Sequence, residues 1–293
     1  MLIIIQKPPK HNLPAKRCYN KIMQILFLVL LFIAGACFGS FLCCSARRLH
    51  LKSTSHPVKN KRSVCLHCDY KLKWYDNIPL LSWLFLKGKC RKCGEKIGLA
   101  ELLSELGVAT AFFTIGLGLQ LAGTTVETLL ASSPLAWLSL AAILVFVLLL
   151  SFLAIYDGIY GQLPVSILTI SIVCAILVII LRKWANFSIP EDLLNIFFSV
   201  LILGGVYLAL YLLSKGKWVG DGDWLLGTAI GLALGHPWLA LNALFIANLT
   251  ACLVMAPIVK KSRHVRIHFG PFMVIAFVIV YSFSDFFFYA IGG

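Results

Sequence analysis

Long apolar runs, broken by short polar turns, set the plan of this chain. Runs of spanning length cover residues 22 to 46, 99 to 122, 134 to 156, 164 to 181, 193 to 213, 238 to 258 and 269 to 290. Each is near the roughly 20 residues that a helix needs to cross a bilayer. A shorter run, 224 to 235, begins directly after Asp223, is rich in Gly and Ala, and stops at His236-Pro237. It reads as a short or partly re-entrant helix, and counting it gives eight passes. The pattern therefore predicts an all-α polytopic membrane protein of about eight transmembrane helices. It divides into a basic tail at 1–21, a first transmembrane helix at 22–46, a charged loop at 47–98 and a helical membrane domain at 99–293.

Composition agrees with that plan. The 293 residues are 60% hydrophobic with a mean hydropathy of +0.90, outside the range of soluble globular domains. Lys7, Lys10, Lys16, Arg17 and Lys21 precede the first run as in a signal peptide. That run is too long and lacks a small-x-small cleavage site, so it is expected to stay as the first span. Charge then orients the chain. The loop 47–98 holds thirteen Lys/Arg against Asp69, Asp76 and Glu95, which is +10 of the total +14. The positive-inside rule places it in the cytoplasm. Threading onward puts the turn after Asp157, Lys215 and Lys217, and the basic loop 259–268 on the same side. The basic amino terminus and Arg182-Lys183 run against the rule.

Within the loop, "CLHC" (Cys65, Cys68) and "CRKC" (Cys90, Cys93) are two C-x-x-C knuckles with 21 residues between them. Two such knuckles close a tetrahedral four-sulfur shell with no open position, which is a structural zinc-ribbon pattern. Two disulfides are the alternative, and the cytoplasmic placement argues against them. A structural zinc contributes on the order of 10 kcal/mol to folding a loop with little core of its own. The insert between the knuckles, "WYDNIPLLSWLFLKGK", is apolar and aromatic and is expected to pack on the membrane or the helix bundle. Asp76 within it reads as a turn or capping residue. His67 reads as a neighbour of the metal site, and the other cysteines read as small buried hydrophobes.

Carboxylates are scarce, twelve in all, and one inside a membrane costs roughly 2.5 to 3.5 kcal/mol. Asp157 ends one apolar run before "GIYGQLP", and Asp223 opens another after Gly220 and Gly222. Both reach the same membrane face. Two carboxylates in a poorly hydrated pocket do not both ionise easily, so one acts as acid and the other as base. Such a pair activates water against a peptide carbonyl without metal or serine. The alternative is two unrelated helix-end residues. Asp221 lies farther from the first helical turn and reads as a neighbour that tunes charge.

The ordered set "GSFL" (39–42), Arg48-Leu49, "CLHC", "WYDNIPLLSWLFLKGKCRKC" (74–93), Asp157 with Leu163-Pro164 after it, Gly220 to Asp223 and "FGPF" (269–272) resembles that of type IV prepilin peptidases. The resemblance covers about 39 to 275 and is most specific from Trp74 to Cys93. It implies a bifunctional leader peptidase and N-methyltransferase of the bacterial inner membrane. Such an enzyme cuts the basic leader from prepilins or pseudopilins at the cytoplasmic face and then methylates the new amino terminus from S-adenosylmethionine. It implies catalytic roles for Asp157 and Asp223, and it associates the loop 47–98 with methylation. The chain departs from the family pattern at Cys43 (usually Asn), His50 (Pro), Val165 (an acid), Leu225 (Lys) and His268 (Pro).

Other classes are weighed on the same residues. An aspartyl protease for preflagellins or a signalling protein is expected to lack the four-cysteine loop. A transporter is expected to show internal repeats and acids at the bilayer midplane, and neither is present. Nucleic-acid binding by the basic loop is disfavoured by its apolar insert, and its charges read as facing anionic lipid.

Overall fold

A computed structural model of the chain describes residues 14–53, 64–65, 67–68, 70–124, 126–183, 189–216, 219–261 and 268–292. Several charges used in orienting the chain, Lys7, Lys10, Lys59, Lys61, Arg62, Asp69, Lys217, Arg263 and Arg266, lie outside the described residues.

The described residues form helices α1 (Pro14–Ser53), α2 (Leu81–Phe85), α3 (Leu99–Leu121), α4 (Val126–Leu130), α5 (Pro134–Tyr160), α6 (Val165–Lys183) and α7 (Ile189–Val200). A π-helical turn, Leu201–Gly205, joins α7 to α8 (Val206–Ser214). Then follow α9 (Asp223–Leu234), α10 (Pro237–Lys261), α11 (Gly270–Ser282) and α12 (Ser284–Gly292). Among the described residues there is no strand, only two isolated antiparallel bridges, Val64 with Lys71 and Lys89 with Lys96.

Among the described residues, six helical stretches are long and apolar enough to cross a membrane, against the eight passes expected, and α9 and α11 are shorter apolar helices. The run at 269–290 is broken at Phe283 into α11 and α12. Helix α9 has 12 residues, about 18 Å of rise against a hydrocarbon core of about 30 Å. It is a half-length helix whose Gly and Ala let it sit deep among its neighbours. A Cβ at Gly227 would lie 2.7 Å from the Leu203 carbonyl oxygen of the π turn. Helix α1, with 40 residues, is about 60 Å long and overreaches the bilayer. It continues past residue 46, the boundary expected for the loop, because 47 to 53 contain no Gly or Pro to stop it.

Helix ends follow their capping residues. Pro134 occupies the first turn of α5, and Gly161 closes it in the left-handed conformation at φ 65°, as a helix stop does. The core lies between α5, α9 and α11, where Leu150, Leu153, Leu226 and Ile230 are fully buried. Phe146 meets Phe277 edge to face at 5.3 Å. Outward, Ile22, Leu26, Val29 and Ile33 form an exposed apolar face of α1 at helical spacing, as a lipid-facing surface does. Since lipid is as apolar as this core, helix association rests on close van der Waals fit.

That fit is close between α1 and α3. A Cβ at Gly35 would lie 2.7 Å from the Val108 carbonyl oxygen, and one at Gly39 would lie 2.6 Å from that of Ser104. Replacement of Gly39 by Leu is expected to wedge the two helices apart and destabilise the fold by about 1–3 kcal/mol or more. Gly107→Leu, at a position where a Cβ meets nothing within 4 Å, is expected to leave stability unchanged. Thermal unfolding of both variants in detergent checks the contrast.

Candidate active site and metal centre

The turn after α5 brings the two predicted aspartates together. Gly161 to Pro164 reverses the chain into α6, and Leu163 packs on the loop before α9. A Cβ on Gly222 would lie 2.6 Å from that of Leu163. Only glycine at 222 permits this approach, and it seats the start of α9 against the end of α5.

Asp157 lies in the last turn of α5 and Asp223 in the first turn of α9, and both are buried at 6% exposure. Each carboxylate is held by a backbone amide. The Gly270 N–H, at the start of α11, donates to Asp157 Oδ2 at 2.9 Å. The Gly220 N–H donates to Asp223 Oδ2 at 2.9 Å. Asp157, Asp221 and His268 all lie within electrostatic reach of Asp223. Asp221 is exposed, which separates it from the buried pair.

The segment before α11 forms another wall. A Cβ on Gly270 would lie 2.8 Å from Asp157 Oδ2, and one on Gly161 would lie 2.7 Å from His268 Nε2. Phe269 meets the Tyr207 ring at 5.6 Å, and Tyr207 is itself buried with its hydroxyl 3.4 Å from Asn248 Nδ2. Leu225, in the place of the family's Lys, packs against the apolar core. Cys43 is buried, and Val165 begins α6 exposed. His50 stacks on Tyr160 at 3.8 Å and has Nδ1 3.4 Å from the Tyr156 hydroxyl. Sequence reasoning missed the two holding amides and this aromatic group. No local spacing marks them, although the FGPF segment contains one of the amides.

The four knuckle cysteines also meet. Cys65, Cys68, Cys90 and Cys93 place their sulfurs within 4.8 Å of one another, with Cys65 to Cys93 at 3.8 Å and Cys68 to Cys90 at 4.0 Å. A tetrahedral zinc with Zn–S bonds of about 2.3 Å requires sulfur separations of about 3.8 Å, so the set fits such an ion. The two knuckles are built alike. Cys65 N–H bonds to the Tyr70 carbonyl at 2.9 Å and Cys90 N–H to that of Glu95 at 2.8 Å. The N–H groups of Cys93 and Lys92 pull the Cys90 thiol down to about 6.

Asp76 has the turn role expected of it. Buried, it accepts from the Lys73 N–H at 3.2 Å and from Arg91 Nε at 2.8 Å, tying the insert to the second knuckle. Glu105 of α3 accepts from the Leu80 N–H at 2.7 Å and so anchors the insert to the bundle. Trp74 and Phe85 stay exposed, an apolar edge suited to a membrane surface. Between this loop, α1 and α3 lies a cavity of about 710 Å³.

The family described as "Bacterial Peptidase A24 N-terminal domain" matches residues 33–119. A prepilin leader peptidase/N-methyltransferase of Klebsiella pneumoniae is 33% identical over 72% of this chain and 86% of its own length. That of Dickeya chrysanthemi is 32% identical over 73% and 70% respectively. That of Vibrio cholerae is 29% identical over 88% and 98%. No solved structure matches the chain.

Metal retention at the four cysteines has a defined pH sign. Zinc binds thiolates, so protons compete with it for all four sulfurs and its affinity falls as pH drops. Protein purified with zinc is expected to hold it at pH 8 and release it by pH 5, as read by a chromophoric chelator. Substitution of Cys65 and Cys90 by Ser is expected to lower metal content at pH 8.

Proposed function

The chain belongs to the prepilin leader peptidase/N-methyltransferase family, and from that premise we propose that Asp157 and Asp223 are the acid and base of its peptidase. The substrates are type IV prepilins or pseudopilins. Their basic leader is cut at the cytoplasmic face of the inner membrane, and the freed amino terminus is then N-methylated. The observation that carries the peptidase reading is the buried carboxylate pair at the facing ends of α5 and α9, each member fixed by one backbone amide.

The chemistry follows from that arrangement. The ionised carboxylate takes a proton from water as its oxygen attacks the scissile carbonyl, and the protonated one donates to the carbonyl oxygen and then to the leaving amine. The amides of Gly220 and Gly270 hold each carboxylate in place, so neither group reorganises during the step. Asp221, exposed beside the pair, shapes the local charge. A leader is basic and is not drawn to the basic four-cysteine loop, whose charges suit anionic lipid. No role for nucleic acid is proposed.

Zinc at Cys65, Cys68, Cys90 and Cys93 is structural in this reading, with all four positions filled by thiolate. S-adenosylmethionine, when bound, supplies an electrophilic methyl carbon to the new amino terminus.

A cleavage assay on a pilin carrying its leader tests the peptidase roles. Asp157→Asn and Asp223→Asn are each expected to lower the rate by about 10²–10⁴-fold or more, while Asp221→Asn only weakens it. Full activity in either of the first two variants refutes the assignment.

A further inference from the structure

We propose that His268 is a positioning residue of the peptidase, its imidazole lodged against the end of α5 to supply a proton-dependent positive charge to the aspartate pair. The inference rests on the peptidase reading above and adds to it a residue and the pH dependence that residue confers.

His268 precedes α11 and is half-buried. A Cβ on Gly161 would lie 2.7 Å from its Nε2 and 3.0 Å from its Cδ2, so the ring rests on the backbone of the residue that closes α5. Gly161 has φ +65° there, which glycine adopts freely, and its missing side chain leaves the room that the ring fills. Two residues beyond His268, the Gly270 N–H holds Asp157 Oδ2 at 2.9 Å. Between them Phe269 meets the buried Tyr207 ring at 5.6 Å. The imidazole is thus fixed by α5 on one side and by two anchored residues along its own chain. From that position its charge reaches Asp223.

Two carboxylates in one poorly hydrated site carry a single negative charge when one of them keeps its proton. The amides of Gly220 and Gly270 answer that charge with dipoles and not with a full positive charge. Helix α9 adds no cation at Leu225, which packs against the apolar core. Imidazole is the side chain that ordinarily changes charge between about pH 5 and 8. Protonated, it favours the state in which one carboxylate is ionised and ready to take a proton from water, and the partly dehydrated site strengthens the effect. Neutral, it leaves the pair to its two amides. The groups that share the site with it are Asp157 of α5, Asp221 and Asp223 around the start of α9, Tyr160 beside Gly161, and Tyr207 beyond Phe269. Phenols, with an ordinary pKa of about 10, stay neutral over that range, and the charge of the exposed Asp221 is screened by water and salt. Position 268 is one at which this chain departs from the family pattern, so the device is this chain's own.

The test is the pH profile of leader cleavage by the full-length protein in nanodiscs, with a pilin whose leader Lys and Arg stay charged throughout. His268→Gln keeps a polar side chain without the charge, and His268→Lys keeps a charge at every pH used. Relative to wild type, His268→Gln is expected to lower kcat about tenfold near about pH 5.5 and only about twofold near about pH 8.5, with KM unchanged at both. His268→Lys is expected to stay within about twofold of wild type at the lower pH. The ratio between the two pH values is read within each variant, so a smaller folded fraction cancels from it. A His268→Gln loss that is equal at both pH values, or a His268→Lys variant as slow as His268→Gln at the lower pH, overturns the inference, because an imidazole that only packs gives these results. Asp157→Asn and Asp223→Asn are assayed alongside. Wild-type cleavage by either removes the peptidase reading and this inference together, whereas inactivity of both with a pH-independent His268→Gln loss removes the inference alone.

Discussion

A carboxylate sunk in an apolar helix bundle persists only where a donor answers it, and here the donors are main-chain amides. Asp157 is answered by the start of α11 and Asp223 by the glycine loop before its own helix. This requirement orders much of the molecule. Glycine stands at 222 and 270 because loop and loop, or amide and carboxylate, come within 2.6 and 2.8 Å of where a Cβ would lie. It also explains the half-length of α9. A helix that begins at a buried acid and carries Gly and Ala along its packed face is braced by its neighbours rather than by span alone.

The four-cysteine loop is a second unit fastened to the first by polar contacts in place of a core. Asp76 joins its two halves through Arg91, and Glu105 reaches from α3 to hold the Leu80 turn. The close approach of α1 to α3 at Gly35 and Gly39 fixes the base on which the loop stands. Helix α1 thus has one face on Tyr156 and Tyr160 of α5 and one on the cavity beneath the loop.

Much of this was legible in the sequence. Apolar run length gave the helices, and knuckle spacing gave the sulfur cluster, because each depends on residues close together in the chain. The acids at 157 and 223 stood out because a lone carboxylate beside an apolar run is costly. What holds them was not legible. An amide has no side-chain signature, and Gly270 is 113 residues from Asp157. The continuation of α1 beyond residue 46 was missed because its charges were read as the start of a loop. Those residues remain helical by propensity, with Leu49 and His50 resting on α5. Asp221 and Asp223, alike in sequence, separate only through burial.

The central claim is that the ends of α5 and α9 bring two side chains from distant parts of the chain into one small site. Its most direct test is proximity in native membranes. Cysteines placed at 157 and 223 are treated with a short bifunctional thiol reagent, and the linked peptides are mapped by mass spectrometry. The account predicts a 157–223 cross-link in good yield that disappears on denaturation before labelling. Absence of that link, with both cysteines shown to react singly, contradicts it.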